Sequence, residues 1–383
     1  MKGAFFYVDA GKGHFTPATA LCDSFKAQGN EGEVLNIFKI AKSPFWNWYC
    51  KDSWRFQLHH PGFENILNTI WDTHFSAFLM KMIVKYHHSM NKEFMKWYTK
   101  EQPDFLLCTN FLGGIILPGL IAKNHLNIPS YVYAADVFNN PTAGTNKKIT
   151  KLYIPTELGR ENAIKNGQLP EQVTLCPFPL KMNLQEFKAI NRIEARRKLG
   201  LNENKFTVLL NLGGEGIGET SLVKELAKLN LDFQIIVLGN LSVTTTSKYK
   251  RFAKNNPNFD IILPGFVNNI GDYICACDIQ AGKAGANSLM ESLYLERPFL
   301  ISQLLYAAHA TLDFFKKHNV GWVENNVVKQ AMILKQYKES AEEQKQMAEN
   351  LAKLKISFDT MAFCTQIVKD THKFAQNHTK RTF

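Results

Sequence analysis

Three segments of the chain carry residue types whose spacing could do chemistry. Asp9-Ala10-Gly11-Lys12-Gly13-His14 lies between an apolar run, Ala4–Val8, and a helical pattern, Thr16–Gln28. Glycines there let backbone approach a ligand, and a helix N-terminus favours an anion or developing negative charge. His14 has the intrinsic pKa for general-base work near neutrality; the plainer reading is a histidine that only caps the helix. Neither common glycine fingerprint is present. The third glycine of G-x-G-x-x-G falls at Thr16, and no Gly-Lys-Ser/Thr closes a P-loop. The second segment, Gly213-Gly214-Glu215-Gly216-Ile217-Gly218-Glu219, follows the run Phe206–Asn211. Four glycines within six positions clear a surface for phosphates, and Ser221 with its helix adds donors. A strand-to-helix turn without a ligand would not need so many. In the third, Gly282-Lys283-Ala284-Gly285-Ala286-Asn287-Ser288-Leu289-Met290-Glu291, small residues open a helix and Glu291 lies about two turns inside. A carboxylate there could accept two hydrogen bonds from a ribose diol, although alone it would more often be a solvated helix residue.

The elements that must position these loops alternate between strand and helix, which predicts parallel sheets flanked by helices. Ala4–Val8, Gly32–Ile37, Phe105–Thr109 and Ser130–Ala134 read as strands of a first unit. Phe206–Asn211, Phe233–Leu238, Ile261–Leu263, Ile279–Ala281 and Pro298–Ser302 read as strands of a second. In open α/β sheets ligands bind beyond the carboxyl ends of the strands, where all three loops fall. The join is expected near Pro177-Phe178-Pro179-Leu180, which can continue neither element. This gives a domain at 1–180 and a second at 181–355, with a helix at 356–383 expected to pack back on the first. The tail from Val327 to His378 reads as long helices rich in Lys, Glu and Gln.

With 45% hydrophobic and 21% charged residues among 383, the chain is an ordinary globular one with room for two cores. The formal charge of +11, 45 basic against 34 acidic residues, calls for a nucleic acid, an anionic membrane leaflet or a phosphorylated substrate. No usual nucleic-acid module is present, so no nucleic-acid partner is expected. The seven cysteines are scattered. Cys275 and Cys277 lack the second pair or histidine of a zinc site, and free thiols are expected. No apolar run reaches the roughly 20 residues of a spanning helix, and Met1–Val8 reads as a buried strand rather than a signal peptide. Residues 43–100 form an unusual insert, apparently helical. Trp46, Trp48, Lys51, Trp54 and Arg55 open it, and Lys81 and Lys85 follow among further apolar residues. Interleaved aromatic and cationic side chains suit a bilayer interface, against the alternative of a core-packing hairpin with a basic outer face. A peripheral place on the cytoplasmic face of a membrane is the expectation.

Taken in order, these segments resemble one family over roughly residues 3–325. It is the two-domain nucleotide-sugar transferases (glycosyltransferase family 28-like) that include monogalactosyldiacylglycerol synthases and processive diacylglycerol glucosyltransferases. The lipid II-forming N-acetylglucosaminyltransferase is a more distant member. Gly11-Lys12-Gly13-His14 matches the family's Gly-Gly-Gly-His loop, Ala135-Asp136 its Thr-Asp, and Pro177-Phe178-Pro179 its Gly-x-Pro. In the second domain, Gly213–Gly218 matches Gly-Gly-Gly-Glu-Gly-x-Gly and Leu238-Gly239-Asn240 matches Cys-Gly-x-Asn. Pro264-Gly265-Phe266-Val267 falls where the family's backbone holds uracil. Gly282–Glu291 matches Thr-Lys-Ala-Gly-Pro-Gly-Thr-x-x-Glu.

The resemblance implies a GT-B fold, two Rossmann-like domains facing a central cleft, with C-terminal helices. The acceptor and membrane would be met by the first domain through Gly11, Gly13 and the insert. The UDP-sugar would be held by the second through Gly214, Glu215, Gly216, Gly218, Gly239, Asn240, Phe266, Val267, Lys283, Gly285, Ala286, Asn287, Ser288 and Glu291. It implies inverting transfer of a hexose, galactose or glucose, to a lipid hydroxyl such as that of diacylglycerol or a sterol. His14 and Asp136 are the candidate base and orienting group, in either assignment. No cofactor or metal is expected, since no Asp-x-Asp pair is present and backbone amides would steady the departing UDP. Two departures bear on the sugar. The family's Gly-Gln-Glu and following Asn appear as Tyr306, Ala307, Ala308 and Thr311, and its His-Pro-x-Trp as Asn140-Pro141-Thr142-Ala143. The competing readings are a non-catalytic UDP-sugar-binding relative, a transferase to a polyprenyl-linked cell-wall precursor, and a nucleotide-sugar 2-epimerase.

Overall fold

The computed structural model describes residues 1–213, 220–229, 231–283 and 285–379, apart from the side chains at 307, 378 and 379. The chain divides into two compact units, Met1–Met182 with Ile356–Phe383, and Asn183–Lys355.

The first unit is built on a parallel sheet of β1 (Lys2–Tyr7), β2 (Glu31–Asn36), β3 (Phe105–Cys108), β4 (Ser130–Tyr133), β5 (Lys151–Ile154) and β6 (Val173–Leu175). Their order is β2-β1-β3-β4-β5-β6. Helices cover both faces, so the central strands are apolar throughout rather than alternating. Phe5, Phe6, Phe105, Leu106, Leu107, Tyr131, Tyr133 and Tyr153 are all fully buried. Phe5 meets both Phe25 and Phe105 edge-on at 5.5 Å, which ties the first helix to the sheet. Strands β5 and β6 escape a reading of the sequence because they are short and each carries a polar residue, Lys151 and Thr174.

The insert is helical, as the sequence predicts: Pro44–His59, Pro61–Trp71, His74–Tyr86 and His88–Glu101. Proline opens the first two, where its missing N–H costs nothing. The tail is interrupted at 354–359 and then returns to this unit. Phe178 N donates to the Ser357 carbonyl at 2.7 Å and Thr360 Oγ1 to the Leu180 carbonyl at 2.8 Å. The last helix, Thr360–Thr379, places Asp370 at 2.7 Å from both Lys151 Nζ and the Tyr153 hydroxyl, against β5.

The second unit has a parallel sheet of β7 (Thr207–Asn211), β8 (Phe233–Leu238), β9 (Phe259–Gly265), β10 (Ile279–Lys283), β11 (Phe299–Gln303) and β12 (Gly321–Val323). Their order, β12-β11-β10-β7-β8-β9, is that of a doubly wound dinucleotide-type sheet. Its amino edge is pinned by Asp278, which takes Arg196 at 2.6 Å, Arg192, and the Thr207 amide at 2.7 Å. Asp278 is buried, so without Arg196 its charge would rest on Arg192 and the Thr207 amide alone.

Candidate functional site

In each sheet the winding reverses at one place, and ligand-binding loops diverge there. In the first unit that place lies between β1 and β3. Beyond β1, Gly11 takes φ 78° and ψ −173° and turns the chain at once into the helix Lys12–Ala27. The sequence reading starts this helix at Thr16. It begins four residues earlier, because Gly-Lys-Gly occupies its uncapped first turn and Pro17 is accommodated inside it. His14 therefore sits in the first helical turn, not in a loop.

His14 Nδ1 lies 2.9 Å from the carbonyl oxygen of Thr109, immediately beyond β3. A carbonyl can only accept, so Nδ1 carries the proton and Nε2 is left with the lone pair. Desolvation lowers the His14 pKa to about 4, against a smaller opposing effect of the Thr109 hydrogen bond. The residue as a whole is half-buried. At neutral pH it is an uncharged imidazole, able to take a proton at Nε2.

Asp136 lies three residues beyond β4, the next strand across. Burial raises its pKa to about 6, and the neighbouring carboxylates of Glu64 and Asp72 add to the rise. Both neighbours come from the insert. Glu64 is buried on the helix Pro61–Trp71, where its Oε1 accepts from Asn68 Nδ2 at 2.9 Å. Asp72 caps the end of that helix and its Oδ1 accepts from the Ala143 amide at 2.9 Å. The sequence reading misses both, although Glu64 is the only charged residue of Pro61–Trp71. The orienting partner of the His14 Nδ1 is Thr109, not Asp136, and Thr109 was likewise not anticipated.

The other candidate residues of this unit separate by environment. A Cβ on Gly11 would meet Trp54 Nε1 at 3.0 Å, so this tryptophan of the insert lies directly on the turn that leads to His14. Beside Gly13 there is open space. Trp46 packs against the core of the unit, whereas Trp48 is 59% exposed. Lys51, Arg55, Lys81 and Lys85 all lie at the surface. Lys81 Nζ donates to the Thr145 carbonyl at 3.1 Å, and Lys85 Nζ stands 5.4 Å from the Tyr86 ring centre. Among the described residues, twelve of the twenty exposed large apolar side chains fall between Phe45 and Tyr86, so the insert holds most of the exposed apolar surface. The most exposed of them are Phe75, Ile70 and Ile66.

In the second unit the winding reverses between β7 and β10. Gly213 follows β7 with φ 68°, and a Cβ there would lie 3.3 Å from Lys283 Cε and 3.5 Å from its Nζ. The ammonium thus overlies the start of the glycine loop. Gly214, Glu215, Gly216 and Gly218 fall outside the described residues. Asn211 Nδ2 reaches Ser288 Oγ at 3.2 Å, tying the end of β7 to the first turn of the helix Ala286–Tyr294. That helix begins at Gly285 with no side-chain cap, so its first amide groups can meet an anion. Asn287 lies in its first turn, and half-buried Glu291 is its sixth residue. Gly239, at φ 144°, passes so close that a Cβ would stand 2.9 Å from the Gly213 carbonyl oxygen. Asn240 N donates to that same oxygen at 3.4 Å. Phe266 is 73% exposed just after Gly265, with Val267 half-buried beside it. Where the resemblance places the sugar contacts, the Tyr306 and His309 rings lie 5.7 Å apart and tilted, and Thr311 is buried.

No protein-family model matches the chain. Monogalactosyldiacylglycerol synthase 3 of Arabidopsis thaliana is 22% identical over 392 residues, spanning 96% of this chain and 80% of that protein. The likeness to monogalactosyldiacylglycerol synthases thus runs along nearly the whole chain. Among solved structures, a glycosyltransferase from Rickettsia africae superposes with a TM-score of 0.59 at 11% identity, covering 98% of this chain and 99% of that one. A UDP-GlcNAc 2-epimerase from Methanocaldococcus jannaschii, solved with UDP-GlcNAc and UDP, gives 0.54 at 13% identity, covering 96% and 99%. These two establish the fold, GT-B with two doubly wound units in tandem. They do not separate transfer from epimerisation. The monogalactosyldiacylglycerol synthase likeness and the fold agree with the family seen from the sequence motifs.

Proposed function

We propose that the protein is a UDP-sugar-dependent hexosyltransferase that moves galactose or glucose to a lipid hydroxyl such as that of diacylglycerol. The observation that carries transfer over epimerisation is the sequence likeness to a monogalactosyldiacylglycerol synthase along 96% of the chain. The geometry supports it. In the first unit, His14 has Nε2 available for an acceptor proton, and the Asp136 carboxylate is the alternative base. In the second, Lys283 and the amino end of the helix Ala286–Tyr294 suit the diphosphate of a departing UDP, and Glu291 suits the ribose. The acceptor oxygen would attack the anomeric carbon as the base takes its proton. The bond to UDP breaks on the opposite face, which inverts the configuration. No step invokes a metal.

The acceptor's class and the site of action follow the insert. Its exposed apolar side chains, with Lys51, Arg55 and Lys85 at the surface, suit the interface of an anionic membrane. Among the described residues no helix is long and apolar enough to cross a membrane. Purified protein, a panel of radiolabelled UDP-sugars and diacylglycerol in mixed micelles, read by thin-layer chromatography, test the whole reading. Label in a lipid spot is the expected result. Label remaining on the nucleotide in every combination overturns it, and label on an epimerised nucleotide sugar establishes the rival.

A further inference from the structure

Thr109 makes more contacts with His14 than its place after a buried strand requires. Its carbonyl oxygen takes His14 Nδ1 at 2.9 Å, and its hydroxyl lies 2.6 Å from the His14 carbonyl oxygen. The same hydroxyl also reaches the Phe6 carbonyl at 3.3 Å, while the Thr109 amide donates to that oxygen at 3.0 Å. One residue thus grips the imidazole, the backbone that carries it, and the strand from which that backbone departs. Thr109 has no exposed surface, so these bonds do not compete with water.

The turn needs such a grip. Gly11 and Gly13 bring no side chains of their own to the first turn of the His14 helix, and the helix has no side-chain cap at its amino end. Pro17 has no N–H to close a bond to the Gly13 carbonyl, so the helix itself constrains this turn weakly. The hydroxyl of Thr109 supplies a tether from the neighbouring strand. A serine would keep it; a valine would keep the shape and lose the bond.

We propose that Thr109 is the positioning residue of this centre: it fixes His14 in the Nδ1-protonated tautomer and aims the Nε2 lone pair at the acceptor hydroxyl. This rests on the reading of His14 as the base. An imidazole in water prefers the opposite tautomer, so the protein must enforce the productive one, and the Thr109 carbonyl is the group placed to do it. The hydroxyl keeps that carbonyl and the ring in register.

The first test needs no substrate. Nitrogen-15 spectra of histidine-labelled protein at pH 7 should show His14, assigned by its loss in His14→Gln, protonated at Nδ1 and bare at Nε2. A spectrum with the proton on Nε2 overturns the proposal without any Thr109 variant. The second test uses UDP-galactose and diacylglycerol in mixed micelles. Thr109→Val should lower kcat by about tenfold or more with the KM for UDP-galactose little changed, and Thr109→Ser should restore it. In the valine protein, the His14 signal should become a mixture of tautomers. A Thr109→Val protein with unaltered kcat and tautomer overturns the proposal, as does failure of Thr109→Ser to restore turnover in a folded protein. If His14→Gln turns over normally, the base assignment fails instead. The tautomer spectra still decide whether Thr109 orients the ring.

Discussion

The two switch points of this molecule each lie beside the first strand of a parallel sheet and carry opposite chemistry. In the first unit the segments beyond β1 and β4 carry titratable side chains whose pKa values are moved far from the ordinary. His14 goes down to about 4 and Asp136 up to about 6. In the second unit the loops beyond β7 and β10 are glycine-rich. Lys283, at the end of β10, lies over Gly213, and the helix Ala286–Tyr294 follows with no side-chain cap. Enclosure of titratable side chains suits proton transfer. Open backbone with a fixed positive field suits a diphosphate that arrives and departs. On the proposed function, two doubly wound sheets divide an inverting transfer into its acid–base half and its charge-binding half.

The sharpest way to break this division is to remove one residue from each half. His14→Ala should lower kcat by about 10²–10⁴-fold while UDP affinity, read by calorimetry, stays nearly unchanged. Glu291→Ala should do the reverse, weakening UDP by about tenfold or more with the smaller effect on kcat. If His14→Ala loses UDP and Glu291→Ala loses turnover alone, the roles of the units are exchanged.

The division was partly legible in the sequence. Gly-rich loops after apolar strands announce a backbone-built site, because glycine is itself the signal, and so the second unit's loops were found by pattern. The first unit's site is made of contacts between segments distant in the chain. Thr109 reads as one more residue of a buried strand, and Glu64 as a helix residue. Only the fold brings them to His14 and Asp136. The early start of the His14 helix was hidden by the very glycines and proline that make its first turn pliable. β12, with Gly321 and Trp322 in three residues, is too short to show a period at all.

The next test separates the two candidate bases by pH. His14 protonates near pH 4 and Asp136 near pH 6, so the acid limb of kcat/KM identifies which of them must be unprotonated. A limb near 6 assigns the requirement to Asp136, and Glu64→Gln should then move it toward lower pH by removing a like charge. A limb that stays in place in Glu64→Gln shows that the insert does not tune this carboxylate. Stability offers the same information without substrate. Asp136 has a raised pKa in the folded protein, so folding is penalised as pH climbs from about 4 through 6, by up to about 3 kcal/mol less the screening at its open edge. Asp136→Asn should therefore show a gain in Tm at pH 7.5 that shrinks toward pH 4. An equal effect at both pH values would mean that the carboxylate is not perturbed.

A further effect is expected at the insert of the first unit. Changing Ile66, Ile70, Phe75 and Phe78 together to serine should weaken co-sedimentation with anionic phosphatidylglycerol vesicles by at least several-fold, because these are exposed apolar groups available to insert. Neutralising Lys51, Arg55, Lys81 and Lys85 should abolish what salt can also remove. Because Lys81 is tied to the Thr145 carbonyl, restoring Lys81 alone should recover little. Unchanged vesicle binding in both sets would return the insert to a packing role.

The smallest effect expected is none, and it tests the second unit's half of the comparison most directly. If the leaving diphosphate is met by Lys283 and the amino end of the helix Ala286–Tyr294, its charge is neutralised by the protein itself. Dialysis against EDTA should then leave turnover within a factor of about two, while Lys283→Ala lowers kcat by roughly tenfold or more. Adding magnesium should not rescue that variant, because a cation in solution has no fixed place over Gly213. A tenfold loss on chelation, restored by magnesium, would show instead that a metal supplies the positive field here and that Lys283 only shapes the loop.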